Sequence, residues 1–213
     1  MELVQPTILA IIGKPLAGKD TQADALVRSH PDSVKISTGH ILRAIAEEGE
    51  THRFWPLIGP HLKLMEEGMK LPDAPIIDML GRVMEEQIAE GKKLLIIAGS
   101  PRSFEQLEGF ENIGKQTKAE LIYLHLDASD AETYTRSANR NEGRIDDTPE
   151  VHAVRLEEFR THVVPVIDKL RDEYRLMEIN GEQPEGLVTK RIENELALRV
   201  FDPEIMMPMQ SRK

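Results

Sequence analysis

The chain has 213 residues, enough for one well-buried domain with a small insertion and too few for two full domains. Hydrophobic residues make up 40% of it, an ordinary share, and no apolar run approaches the roughly 20 residues that cross a bilayer, so no membrane partner is expected. A net charge of −10 argues against a surface built to hold nucleic acid, which leaves any polyanion to be met by a local basic cluster.

In chain order, Met1–Thr7 has neither the basic start nor the small-residue cleavage site of a signal peptide, and with no cysteine in the sequence this favours the cytoplasm. Thr7-Ile-Leu-Ala-Ile-Ile-Gly13 is a short continuous apolar run with β-branched residues, the pattern of a strand buried on both faces. The same signal returns at Ser33–Ser37, Lys93–Ala98, Glu120–Leu126 and Arg175–Ile179. Between these runs the spacing predicts helices over 19–30, 39–48, 61–67, 73–90, 103–112, 129–140, 149–173 and 185–198, several opened by Asp, Ser or Pro. Strands alternating with helices imply an α/β fold with a five-stranded parallel sheet flanked by helices. In the long helix, Val151, Val154, Phe159, Val163 and Ile167 are expected to face the core, and the Met- and Pro-rich tail over 200–213 fits no element.

The first chemical motif is Gly13-Lys-Pro-Leu-Ala17-Gly18-Lys19-Asp20-Thr21, set between a strand and a helix. Its glycines let successive N–H groups curl inward, the helix offers its positive end, and Lys19 can bridge the outer phosphates of a polyphosphate. The residue after the lysine, where a hydroxyl usually meets Mg²⁺, is Asp20. The alternative is a glycine-containing turn with a surface lysine.

Four strings then resemble, in order, the signatures of adenylate kinases: Gly18-Lys-Asp-Thr-Gln22, Ile36-Ser-Thr-Gly-His-Ile-Leu-Arg43, Gly99-Ser-Pro-Arg-Ser-Phe-Glu-Gln106 and Arg136-Ser-Ala-Asn-Arg140-Asn-Glu-Gly-Arg144-Ile-Asp-Asp147, with Arg155 following. The resemblance covers nearly the whole chain. It implies one P-loop kinase domain over 1–213, with a helical monophosphate-binding insertion at 40–71 and a short lid at 138–148. It further implies a monomer that moves a phosphoryl group from ATP to AMP with Mg²⁺.

By the same resemblance, Gly13, Ala17, Gly18, Lys19, Asp20, Thr21, Arg136, Arg140 and Pro184 would contact ATP, Arg136 covering its adenine and the Asn180–Pro184 loop touching the same base. Arg43 and Arg102 would hold the AMP phosphate, with Gly99 beside them. Thr38, Gln106 and Leu71 would line the acceptor adenine. Lys19, Arg102, Arg140, Arg144 and Arg155 would surround the transferring phosphoryl, Arg144 and Arg155 also touching AMP. Arginine suits the task because its guanidinium stays charged and grips phosphate oxygens in pairs. UMP/CMP kinases tend to carry a smaller residue in the place of Thr38, which favours adenine.

Three departures bear on activity. Ala98 stands where the family has an aspartate that orients the water shell of Mg²⁺, Asp20 where it has glycine, and His40 where it has an acidic residue. Ser100, where an aromatic is frequent, is a milder change. An active kinase for AMP, a UMP or CMP kinase, and a nucleotide-binding module with weakened catalysis all remain open. The residues add one expectation of their own, that Asp20 supplies the carboxylate missing at Ala98 and ligates Mg²⁺ directly or through water. The alternative is that Asp20 only complements the positive end of its helix. The segment 50–61 is longer than in short family forms, and its Phe54 and Trp55 are expected to pack rather than bind.

Overall fold

The computed structural model describes residues 5–139, 148–173 and 175–201. Along the chain run β1 (Thr7–Ile12), α1 (Lys19–Ser29), β2 (Ser33–Ser37), α2 (Thr38–Glu48), α3 (Trp55–Ile58), α4 (Leu62–Glu66), α5 (Asp73–Ala89), β3 (Leu94–Ala98), α6 (Phe104–Thr117), β4 (Glu120–Asp127), α7 (Asp130–Ala138), α8 (Pro149–Glu158), α9 (Val164–Asp172), β5 (Leu176–Asn180) and α10 (Glu185–Phe201). Residues 140–147, within the expected lid, and 202–213, in the Met- and Pro-rich tail, lie outside the described residues.

All five strands are parallel, in the order β2-β3-β1-β4-β5. β1 is wholly buried, which is why it reads as an unbroken apolar run. Its even residues, Ile8, Ala10 and Ile12, join a core built with α5, α6, α9 and Phe54, while its odd residues, Leu9 and Ile11, join a second core with α1 and α10. Each buried isoleucine or leucine among them contributes about 1.5–3 kcal/mol, so the central strand holds both helical layers. Register places Ile11, Ser37 and Ala98 side by side, bringing the segments after β1, β2 and β3 to one edge. Ligands of open parallel sheets bind at such carboxyl ends, where the strand order reverses.

Local chemistry sets the helix starts. Ser37, Ser103, Ser129 and Thr148 each accept a hydrogen bond from the backbone N–H three residues on. The expected single helix over 149–173 is instead α8 and α9 joined by a π-helical turn at Phe159–Val163. Pro165 has no N–H to give the carbonyl one turn back, and the widened turn relieves the clash of its ring. Val154 is exposed, and His152 and Leu156 are buried with Phe159, Val163, Ile167 and Leu170.

In the 50–61 segment Phe54 is buried and Trp55 packs on the same core. Arg53 lies over the Phe54 ring at 4.5 Å and grips Glu86 of α5 through two 2.8 Å hydrogen bonds. Among the described residues no helix is long and apolar enough to cross a membrane.

Candidate active site

A cleft of about 630 Å³ opens at the carboxyl edge of the sheet. Its floor is the turn after β1. A Cβ on Gly13 would stand 2.5 Å from the Leu126 carbonyl oxygen, so only glycine fits there. Gly18 takes φ +98, a left-handed conformation that glycine adopts without strain, and starts α1. Leu16 pays for a similar turn with φ +63. The Lys19 ammonium donates to the carbonyls of Gly13 (2.9 Å) and Lys14 (2.6 Å). Lys14 itself is tied to the Ala128 carbonyl and to Asp130, both at 2.8 Å, which anchors the turn against the start of α7. Gly13, Ala17, Gly18, Lys19, Asp20 and Thr21 all line the cleft.

Around this floor the other strand ends deliver arginines. Arg43 and Arg155 line the cleft, and the Arg43 guanidinium lies over Gly39, where a Cβ would come within 3.2 Å of it. Gly99, at φ +94, begins the turn after β3, and the Ser100–Pro101 peptide is cis. Arg102 donates through Nε to the Gly99 carbonyl at 2.8 Å, so its fork is oriented by the turn that carries it. Arg136 bridges three elements, binding Glu132 (2.8 Å), the Leu16 carbonyl (3.1 Å) and the Gly181 carbonyl (2.8 Å).

Neighbouring like charge lowers two of these cations. Burial, together with the neighbouring Arg102, pushes the Lys19 ammonium down to about 7, and Asp20 only partly opposes this. Burial and Arg155 likewise lower Arg102, with Glu158 opposing. Positive charge is thus gathered in one open cleft, against a net charge of −10 for the whole chain, and an anion in the cleft would offset the cost.

Not every expected residue reaches the cleft surface. Leu71 lines it, but Thr38 and Gln106 are buried and do not. Thr38 Oγ1 pairs with Ser100 Oγ at 3.1 Å, while Gln106 accepts from the Arg102 N–H and donates to Asp73 Oδ1, both at 2.8 Å. Pro184 is absent from the lining, where Gly181 and Gln183 of its loop appear. Arg140 and Arg144 lie outside the described residues. Asp20 Oδ1 is shielded from solvent without a hydrogen-bond partner, 3.8 Å from Lys35 Nζ and 4.0 Å from His40 Nε2. Sequence reasoning missed Lys14, Asp73 and Glu158, whose carboxylate accepts from the Lys70 N–H at 2.9 Å. These three act through contacts distant in the chain, and no local pattern marks them.

The sequence profile of the adenylate kinase family matches residues 11–174, a stretch that contains the β1 turn, all four signature strings and Arg155. The chain belongs to the adenylate kinase family. Among curated adenylate kinases it is similar to adenylate kinase 1 of Nostoc sp., 34% identical over 87% of this chain and 96% of that protein. It is likewise similar to the adenylate kinase of Leptospira biflexa, 35% identical over 81% and 90%. Adenylate kinase isoenzyme 1 of Caenorhabditis elegans matches at 29% over 82% and 80%. Family membership makes the chain a phosphotransferase of the nucleoside monophosphate kinase kind, with the P-loop fold expected of it. α10 lies beyond the matched region, yet it completes the second core through Val188, Ile192 and Leu196.

Proposed function

We propose that this chain transfers the γ-phosphoryl of ATP to AMP and yields two molecules of ADP. The gathering of Lys19, Arg43, Arg102, Arg136 and Arg155 around one cleft carries this reading, since a module that only senses nucleotide needs no such concentration of charge around a travelling phosphoryl. An AMP phosphate oxygen attacks the γ-phosphorus, and the bond from that phosphorus to the bridging oxygen breaks, leaving ADP on the donor side. Lys19 and the β1 turn hold the donor phosphates, and Arg43 and Arg102 hold the acceptor phosphate. Arg155, with Arg140 and Arg144 from the lid segment, neutralises charge on the group in flight. Arg136 and the 180–184 loop meet the donor adenine, and Thr38, Gln106 and Leu71 meet the acceptor adenine. Closure over both substrates keeps water from taking the phosphoryl.

Mg²⁺ would be held by the substrate phosphates and Asp20. The shielded Oδ1, in the cleft lining and without a hydrogen-bond partner, suits a hard cation that keeps most of its water, and the described residues contain no cluster of three ligating side chains that would cage it instead. Bound there, the ion would neutralise negative charge on the phosphates. The zero cysteine count supports a cytoplasmic location, and nothing in the proposed chemistry requires a second copy of the chain.

A coupled assay of ADP formation from ATP with AMP, UMP, CMP or GMP tests the function. AMP should be used far better than the pyrimidine monophosphates, and equal use of UMP or CMP would overturn the adenine reading, while no turnover with any acceptor would favour a binding module. Asp20 is tested by a double-mutant cycle. Asp20→Gly should lower Mg²⁺-dependent turnover about tenfold or more and raise the Mg²⁺ concentration required, and adding Ala98→Asp should restore much of the loss. Additive effects, or undiminished activity in Asp20→Gly, would remove Asp20 from the metal site.

A further inference from the structure

Asp73, the first residue of α5, sits where three segments meet. Its Oδ2 accepts from Lys70 Nζ at 2.7 Å, and its Oδ1 accepts from Ser103 Oγ and from Gln106 Nε2, each at 2.8 Å. Ser103 is the residue that caps α6, the helix carrying Gln106. Burial opposes charge on Asp73, but the hydrogen bonds from Lys70, Ser103 and Gln106 outweigh it and hold the carboxyl below its ordinary value. At neutral pH it is therefore an acceptor only. At the other end of the Gln106 carboxamide, Oε1 accepts from the Arg102 backbone N–H at 2.8 Å, and that group is a donor only.

A glutamine side chain has two hydrogens and two lone pairs to offer. One of each is committed here, which leaves one donor and one acceptor, in an order that cannot be reversed. Reversal would set the amide nitrogen against the Arg102 N–H and the amide oxygen against a carboxylate, and would leave buried polar groups unsatisfied. The order matters because purines differ in it. Adenine presents the N6 amino donor beside the N1 acceptor, whereas hypoxanthine and guanine present the O6 acceptor beside the N1 donor. A glutamine free to turn over would read both edges equally well.

We propose that Asp73 is the positioning residue that makes Gln106 selective for a 6-aminopurine acceptor, by locking the carboxamide in one orientation against the Arg102 N–H. This rests on the reading of Gln106 as an adenine-contacting residue, and it adds a source of discrimination between AMP and IMP that the residues touching the base do not supply alone.

The test compares kcat/KM for AMP and for IMP in the unmutated chain, in Asp73→Asn and in Asp73→Ser, either of which can donate as well as accept. The ratio favouring AMP should fall at least about tenfold in both variants, the scale set by one unsatisfied buried hydrogen-bonding group. The change should come mainly through the two KM values, with kcat at saturating AMP little altered. A role confined to stability would lower activity on both substrates alike and leave the ratio in place, and that result overturns the proposal. If neither variant folds, Asp73 serves the fold rather than the base, and the proposal is equally overturned. Equal use of AMP and IMP by the unmutated chain would instead remove the adenine reading itself, whereas a strong preference that survives Asp73→Asn leaves that reading standing and removes only the role of Asp73.

Discussion

Lys19→Met should lower kcat at least about a hundredfold, with the protein still folded. The ammonium already bridges two carbonyls of the β1 turn at 2.9 and 2.6 Å, so it stands at the nest where polyphosphate is proposed to bind and needs only to exchange those oxygens for phosphate oxygens. Deleting one preorganised group of this kind commonly costs about 2.7–4 kcal/mol of transition-state stabilisation. Stability should respond in the opposite sense. The folded protein holds Lys19 at about 7, well below the unfolded value of 10.5, so the unfolded chain binds the proton more tightly between those values. Folding therefore loses stability as pH falls from 10.5 towards 7, and the whole loss is present below 7. Methionine carries no such proton. The Tm of Lys19→Met should equal or exceed that of the parent at neutral pH, and the advantage should shrink towards pH 10. Thermal melts across that range, beside steady-state kinetics, check both halves, and parental turnover in the variant would remove Lys19 from the mechanism.

How far the sequence alone reaches depends on whether a signal is local. β1 and its turn are legible because burial on both faces forces a continuous apolar run, and because Gly13 and Gly18 answer steric demands within the turn. Arg43, Arg102, Arg136 and Arg155 are found because each sits in or just after a signature string, and the structure brings all four to one cleft. The stripe of the long helix is misread at Val154, because the apolar residue is not on the buried face there, which is carried instead by His152 and Leu156, four apart. The order of the strands is equally hidden, since β1 pairs with β3 and β4 across 87 and 113 residues of chain, a choice decided by packing.

The base side shows the same limit most sharply. Thr38 and Gln106 can be named from their strings, but nothing in those strings says that Thr38 is paired with Ser100 or that Gln106 is held at both ends. Asp73 and Gln106 are 33 residues apart and meet because α5 and α6 start next to each other. Ser100 is legible only as a departure from an aromatic. Its fully buried hydroxyl turns out to sit opposite Thr38, so a polar pair occupies the place of a ring.

Arg102→Ala should reduce kcat/KM for AMP by at least about 2 kcal/mol, roughly thirtyfold, and Arg102→Lys should recover only part of the loss. A lysine keeps the charge but not the planar fork, and it cannot reproduce the Nε hydrogen bond to Gly99 that aims the guanidinium. Arg102 is also one of the groups that depress Lys19, and it is itself lowered by Arg155. Removing it relieves two like-charge contacts in the nucleotide-free protein, against the loss of its attraction to Glu158 and of its exposed hydrogen bond to the Gly99 carbonyl. Arg102→Ala should consequently melt no lower than the parent while its turnover collapses, the pattern of a site whose charge is kept for its ligand at the expense of the scaffold. The pair Lys19→Met and Arg102→Ala should also be strongly non-additive in kcat, because both side chains act on one transferring phosphoryl and the second loss removes less than the first. Strict additivity would place the two residues in separate steps, and a large drop in Tm for Arg102→Ala would make its effect on turnover a matter of folding.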